Sequence, residues 1–148
     1  MRIKSFLISV LLWTLSNSVF AAELLAVADV EKVTGLSGIQ VVGKDPAKGA
    51  GGELNFANAD KKLITMVMIQ DGSMFDFWKK QYGKDGVSIQ GVGTEAFHTK
   101  PDSAISYIAF KKGNKAIWIQ SMGWNKTGKP NLTDAQLAEL AKLAASRM

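Results

Sequence analysis

The stretch from Ala104 to Met122, "AISYIAFKKGNKAIWIQSM", decides the fold because it predicts a β-hairpin. Two runs rich in β-branched and aromatic residues, Ala104–Phe110 and Lys115–Met122, flank the turn Lys111-Lys112-Gly113-Asn114. Runs of this composition around a glycine-containing turn are typical of paired antiparallel strands. The hairpin predicts an antiparallel sheet.

A second hairpin is predicted earlier in the chain. Glu53–Asn58 and Leu63–Gln70 have strand composition and lie on either side of Ala59-Asp60-Lys61-Lys62. A short strand is also predicted at Ile39–Val42. The sheet therefore contains more than one hairpin.

Three helices are predicted from their end signals and apolar spacing. Asp29–Gly35 begins at a capping residue and ends at glycine, and Met74–Tyr82 places aromatic residues at helical spacing. In Thr133–Met148, Thr133 with Gln136 predicts a capping box, and an apolar stripe follows. The stripe contains Leu137, Leu140, Ala141 and Ala144.

The order of elements indicates an internal repeat. Ile39-Gln40 matches Ile89-Gln90, and "MIQD" ending at Asp71 matches "WIQS" ending at Ser121, each pair about fifty positions apart. We therefore predict a single α+β domain over residues 22–148, built from two similar halves, about 28–82 and 87–148.

The segment Val87–Phe97, "VSIQGVGTEAF", could be a structural joint or a reactive site. We predict a strand at Ser88–Val92 and a turn or single helical turn at Thr94–Phe97. Glycine permits positive φ, whereas a lone Glu95 without a neighbouring acid or base has no defined catalytic task. The joint is the favoured interpretation.

The first 21 residues have the pattern of a secretory signal peptide. Arg2 and Lys4 precede an apolar run. Val19 and Ala21 then stand at the −3 and −1 positions of a predicted cleavage site after Ala21. The run is too short to span a bilayer, which takes about 20 apolar residues. We predict a periplasmic or secreted protein without a membrane anchor.

Composition excludes several function classes. There is no cysteine, so neither disulfides nor thiol chemistry is available. Without Arg2 and Lys4, 16 of the 18 basic residues remain against 13 acidic ones, a net charge of about +3. This surplus is too small to indicate nucleic-acid binding.

The sequence does not predict a catalytic or metal site, and no cofactor is expected. His98 is the only histidine, so a zinc site of three nitrogen or sulfur ligands cannot form. A Ser-His-Asp triad with His98 is not favoured, since no serine stands in a Gly-x-Ser-x-Gly elbow. We expect His98 to be a loop residue near Phe97. Four methionines with His98 could bind Cu(I), although a methionine stripe is more often core filler. They are Met66, Met68, Met74 and Met122.

Five segments in this order resemble a group of small exported bacterial proteins of unknown function. They are "DVEKVTGL", "KDPAKGAGGELNFAN", "GVGTEAF", "FKKGNKAIWI" and "LTDAQLAELAKLAASRM". More distantly they are similar to exported lipoprotein and kinase sensor domains with a GxGdeAf-type turn. The resemblance implies a secreted α+β domain with a ligand cleft between its halves. This chain lacks the relatives' disulfide and lipid-anchor cysteines, and has Thr94-Glu95 where they have Asp-Glu.

These observations predict a non-catalytic binding or sensor-like protein with a groove between its halves. The candidate ligand-binding residues are Trp124, Glu95, Lys44, Lys48 and Phe77. The partner is an unknown small molecule or exported protein, and the sequence does not decide the oligomeric state. An inhibitor or immunity-like partner of another exported protein is one alternative, and a secreted hydrolase built around His98 is another.

Overall fold

The computed structural model describes residues 24–42, 52–100 and 103–148. The predicted signal peptide and the candidate residues Lys44 and Lys48 lie outside these ranges. The elements, in chain order, are α1 (Val27–Thr34), β1 (Gln40–Val42), β2 (Gly52–Ala57), β3 (Leu63–Asp71), α2 (Ser73–Tyr82), β4 (Val87–Ser88), β5 (Glu95–His98), β6 (Tyr107–Lys112), β7 (Lys115–Ser121) and α3 (Asp134–Ser146).

An open antiparallel sheet forms the centre of the fold. Its seven strands within the described ranges have the order β1-β2-β3-β7-β6-β5-β4. Both predicted hairpins are present, as β2–β3 and β6–β7, and β3 pairs with β7 in the middle of the sheet. The predicted α+β class is confirmed.

The β6–β7 hairpin has a tighter turn than the sequence predicts. Lys112 pairs with Lys115, so only Gly113 and Asn114 form the loop. Gly113 has a φ of 57°, a conformation that two-residue hairpin turns require and that glycine adopts without steric cost. The Asn114 carbonyl accepts a hydrogen bond from the Gly72 N–H (2.8 Å), which joins this turn to the start of α2.

Both faces of β6 and β7 are buried, because residues alternate between two hydrophobic clusters. Ile108, Phe110, Ile117 and Ile119 belong to the cluster beneath α1 and α3. The intervening residues belong to the cluster beneath α2: Tyr107, Ala109, Ala116 and Trp118. Since side chains of a strand alternate between faces, the helices on the two sides lie over opposite faces of one sheet.

Helix α3 has the predicted cap and the predicted apolar stripe. The Thr133 Oγ1 accepts from the Gln136 N–H (3.2 Å), and the Gln136 Oε1 accepts from the Thr133 N–H (2.9 Å). Leu137 and Leu140 are completely buried against the sheet. Burial of one leucine side chain contributes about 1.5–3 kcal/mol, so this stripe fixes α3 on the sheet.

Helix α2 covers the other face with aromatic contacts. The rings of Phe75 and Phe97 lie 5.7 Å apart, and those of Trp78 and Trp118 lie 5.3 Å apart with an edge-to-face tilt. Such pairs contribute about 0.5–1.5 kcal/mol beyond the burial of their area. The aromatic spacing in α2 therefore marks its core-facing side, as predicted.

The segment Val87–Phe97 differs from its prediction. The predicted strand Ser88–Val92 is only the two-residue β4, and the predicted turn Thr94–Phe97 is largely strand β5. Gly91 and Gly93 both have positive φ and lie in the turn between β4 and β5. The Thr94 N–H then donates to the Lys111 carbonyl (2.7 Å), so pairing with β6 begins here. The segment is a structural joint.

The predicted internal repeat is not confirmed. The β3–β7 pairing divides the sheet into the three strands β1-β2-β3 and the four strands β7-β6-β5-β4. A two-fold axis relating the antiparallel β3 and β7 would also keep both following helices on one face. Helix α2, which follows β3, and helix α3, which follows β7, instead lie on opposite faces. In the described part of the second predicted half, residues 87–148, α3 is the only helix, so α1 has no counterpart there.

An ion pair joins α1 to the end of α3. The Arg147 guanidinium donates to both carboxylate oxygens of Asp29, at 2.5 and 2.7 Å, and also to the Leu24 carbonyl. The hydrogen bond from Arg147 is the largest cause that lowers the pKa of Asp29 below its ordinary value. The Asp29 Oδ2 also accepts from the N–H of Ala26 (2.7 Å), which is the N-cap, so α1 begins two residues before the predicted capping residue Asp29.

Gly93→Ala should destabilise the protein more than Gly91→Ala. Both glycines have positive φ, but a Cβ at Gly93 would lie 2.5 Å from the Lys111 carbonyl oxygen, whereas a Cβ at Gly91 meets nothing within 4 Å. We expect Gly91→Ala to cost about 1 kcal/mol and Gly93→Ala about 1–3 kcal/mol more, measured by urea unfolding. Equal losses would contradict a close approach of β5 and β6 at Gly93.

Arg147→Ala should lower stability at neutral pH by about 1 kcal/mol, because Arg147 is about one-third exposed and solvent weakens the pair. The pKa of Asp29 is lowered in the folded state, so this contribution is present above the ordinary aspartate range and is lost as pH falls. Unfolding at several pH values should show the difference shrinking in acid. Lys142→Ala is the control, and a difference that grows in acid would reject the assignment.

Candidate functional site

A pocket of about 490 Å³ lies where α3 begins. One wall is the loop that follows β7, with Asn125, Gly128, Lys129 and Pro130, and the opposite wall is the first turn of α3, from Thr133 to Ala135. Ser103 and Ala104, which precede β6, and Leu132, which precedes the cap of α3, complete the lining. We call this space the α3 pocket.

Hydrogen bonds that the Asn125 side chain accepts give the loop wall its shape. The Asn125 Oδ1 accepts from the Thr127 N–H (2.9 Å), the Thr127 hydroxyl (2.7 Å) and the Lys129 N–H (3.1 Å). Trp124 and Pro130 form a β-bridge that closes the loop at its base. An asparagine that bonds to its own following backbone is a common way to fix a tight turn. The wall is therefore built by local chemistry.

Trp124, a predicted ligand-binding residue, is held beside this pocket. Its indole Nε1–H donates to the carbonyl of Ala104 (2.8 Å), a residue that lines the pocket. The residue is nevertheless 62% exposed, the largest exposure among the large hydrophobic residues in the described ranges. The hydrogen bond fixes one edge of the ring while most of its surface faces solvent.

Three polar side chains form a network that reaches the pocket through Asp134. The Ser106 hydroxyl donates to the Asp134 Oδ1 (2.9 Å), and the His98 Nε2 lies 3.2 Å from the same oxygen and 3.4 Å from the Ser106 Oγ. Ser106 and His98 are 3% and 7% exposed. The side chain of Asp134 is 49% exposed and lines the pocket.

This network differs in geometry from a Ser-His-Asp catalytic triad. In a triad the imidazole lies between serine and carboxylate and uses a different nitrogen for each. Here the contacts to Ser106 and Asp134 both use the His98 Nε2, and the serine donates to the carboxylate. Ser106 is also too deeply buried to meet a substrate. The arrangement fits the anchoring of Asp134.

Sequence reasoning missed two members of this network and misplaced the third. His98 is the last residue of β5 and is buried, so the predicted loop position was wrong. Ser106 immediately precedes β6, and Asp134 directly follows the Thr133 cap. A polar residue at the core-facing position of an apolar strand was the available signal for Ser106.

The structure does not bring the other predicted site residues to the α3 pocket. Glu95 lies at the far end of β5 and forms an ion pair with Lys79 of α2. Phe77 is 49% exposed on α2, over the opposite face of the sheet. Their role in binding stays a prediction, and Lys44 and Lys48 fall outside the described ranges.

The proposed soft metal ligands do not form a single set. Met66, Met68 and Met74 pack against the cluster beneath α2. His98 pairs with Ile108, which belongs to the opposite cluster, so its side chain lies on the other face of the sheet. Within the described ranges, no group of three or more His, Cys, Asp or Glu side chains is placed to hold a metal ion.

Comparison with known proteins gives no family assignment. No protein-family model matches this sequence, and no curated protein matches it significantly. The resemblance to small exported bacterial proteins therefore stays a prediction.

Ser106→Ala should cost about 1–3 kcal/mol, because it removes a buried hydrogen bond to a carboxylate. Ser103→Ala is the matched control, since its hydroxyl donates to the Lys100 carbonyl at an exposed position. We expect Ser103→Ala to change the free energy of unfolding by less than about 0.5 kcal/mol. If the two variants unfold at the same denaturant concentration, Ser106 does not anchor Asp134.

Proposed function

We propose that this chain is an exported, non-catalytic protein that binds a small ligand in the α3 pocket. The observation that carries the proposal is the exposed Trp124 indole, fixed beside a pocket of about 490 Å³. Ligand pockets generally measure about 300–1,000 Å³ and combine apolar surface with a few fixed polar groups. The α3 pocket has that size and composition.

Support for export comes from the sequence pattern of residues 1–21, which lie outside the described ranges. A basic start, an apolar run and a small-residue exit are typical of a cleaved signal peptide. In the part of the chain that the structure describes, no helix has the length and apolar character needed to cross a membrane.

The proposal places the site at α3, and not between two halves of the domain. Seven residue pairs join β3 to β7, from Thr65–Ser121 to Asp71–Lys115. The two parts of the chain are therefore one continuous sheet at their junction, with no cleft between them there. The loop after β7 and the first turn of α3 provide the concave surface.

Non-catalytic binding is favoured over hydrolysis by the polar network. A hydrolase built around His98 would need an accessible nucleophile that the imidazole can deprotonate. Ser106, the serine within reach of His98, is buried, and its hydroxyl donates a hydrogen bond to Asp134. The geometry of the network formed by Ser106, His98 and Asp134 supports a fixed carboxylate at the pocket.

Native mass spectrometry of the mature protein, purified gently from the periplasm of its source organism, tests the proposal. We expect a reproducible additional mass on the wild-type protein. Trp124→Ala should lose this mass, because it removes the exposed indole, while Phe77→Ala should retain it, because Phe77 lies on α2. Near-ultraviolet circular dichroism of each variant reports whether it is folded.

A bound mass that survives Trp124→Ala would contradict the assignment to the α3 pocket. A clean monomer mass, together with a co-purifying exported protein, would favour the inhibitor or immunity-like alternative. That alternative predicts that the complex depends on exposed apolar residues such as Tyr82 and Ile105.

A further inference from the structure

On the basis of the proposed binding function, we infer that the α3 pocket selects an organic cation with an ammonium group. Asp134 provides the charge and Trp124 provides an aromatic face. The ligand is identified by its class, a small amine or quaternary ammonium compound.

The position of the Asp134 carboxylate is fixed by the buried residues Ser106 and His98. Its Oδ1 accepts from the Ser106 hydroxyl, just before β6, and lies 3.2 Å from the Nε2 of His98 at the end of β5, and both residues are buried. Its Oδ2 has no hydrogen bond to any described residue, and the side chain is half exposed in the pocket. A carboxylate can accept about four hydrogen bonds, so Asp134 retains capacity for a donor from a ligand.

Several side-chain donors at the pocket are occupied within the protein, whereas the Asn125 amide group and the Lys129 ammonium, which also line the pocket, donate to no described residue. The Trp124 Nε1–H donates to Ala104, the Ser103 hydroxyl donates to Lys100, and the Thr133 hydroxyl donates to Gln136. What these residues leave for a ligand is therefore mainly acceptor capacity and aromatic surface. Such a surface suits a ligand that is rich in donors and carries positive charge.

Trp124 adds the second attraction for a cation. Because its N–H is already used, the indole offers its π face and not a hydrogen bond. A cation within about 6 Å of a tryptophan ring is attracted by the ring quadrupole, and tryptophan is the strongest aromatic partner for this contact. The exposed ring and the fixed carboxylate are complementary to the same kind of ligand.

Two groups could favour an anion instead. Lys129 lines the pocket, but it is an exposed residue whose ammonium stands on a flexible stem. The backbone N–H groups at the start of α3 are the second, but Asp134 itself supplies negative charge at this helix terminus. An anionic probe is therefore the decisive comparison.

The test is an NMR titration of the ¹⁵N-labelled mature protein with choline, putrescine, glycerol and inorganic phosphate. We expect choline and putrescine to shift the Trp124 indole N–H and the amides of Thr133 to Ala135 in a saturable way. Asp134→Asn, which keeps a carbonyl acceptor for Ser106, should raise the dissociation constants at least about tenfold. Asp76→Asn, a change of an exposed carboxylate on α2, should leave them within about twofold.

A second variant keeps the inference testable if Asp134→Asn does not fold. Trp124→Leu removes the aromatic face and retains apolar volume, and it should weaken binding of choline about tenfold. Raising the salt concentration should also weaken binding of both cations, because the carboxylate is partly exposed to screening ions.

The outcomes separate the ligand class from the binding function. Saturable shifts at the same residues with phosphate or glycerol, unaffected by Asp134→Asn, would overturn the inference of a cationic ligand. The proposed binding function of the pocket would still stand. An absence of shifts at these residues with all four probes would also overturn it. If native mass spectrometry then shows no bound mass that depends on Trp124, the proposed function fails as well.

Discussion

Burial of β6 and β7 on both faces is the constraint on which the rest of the structure depends. Their side chains alternate between a largely aliphatic cluster beneath α1 and α3, which also contains Phe110, and an aromatic-rich cluster beneath α2. A strand buried on both sides needs a cover on both sides, so the helices cannot gather on one face. This requirement places α2 and α3 on opposite faces of the sheet, an arrangement that does not support the predicted repeat of two similar halves.

The candidate site lies where this apolar burial stops. At one end of the central strands, Ser106, Ser121 and His98 replace the aliphatic side chains, and each is buried. Buried polar groups require partners, because an unsatisfied one costs about 1–3 kcal/mol. Ser106 and His98 hold Asp134, and the Ser121 hydroxyl accepts from the Leu132 N–H (2.9 Å). The hydrogen bonds of these polar residues at the edge of the core therefore also position the start of α3.

Local patterns predicted the hairpins, the Thr133–Gln136 cap and the aromatic face of α2, because each depends on residues close in sequence. The joint at Gly93 was only half predicted, since its partner, the Lys111 carbonyl, belongs to another strand. Asp134 and Ser106 are 28 residues apart, and no spacing rule links the first residue of a helix to a serine before a strand. The matched "MIQD" and "WIQS" segments suggested duplication, yet Met68 and Trp118 are cross-strand neighbours that face one aromatic cluster. Shared surroundings are a sufficient reason for their likeness.

The two walls of the α3 pocket are built differently, and this difference bears on how such a site could change its ligand. Asp134 is fixed through Ser106 and His98 to the sheet, so its position follows from the core. The opposite wall is shaped by Asn125 through bonds to its own loop, which involve no core residue. Precise sites generally take their key groups from rigid elements. Substitutions within residues 125–130 can therefore reshape the pocket while the carboxylate stays in place, whereas a change at Ser106 or His98 alters both the fold and the site.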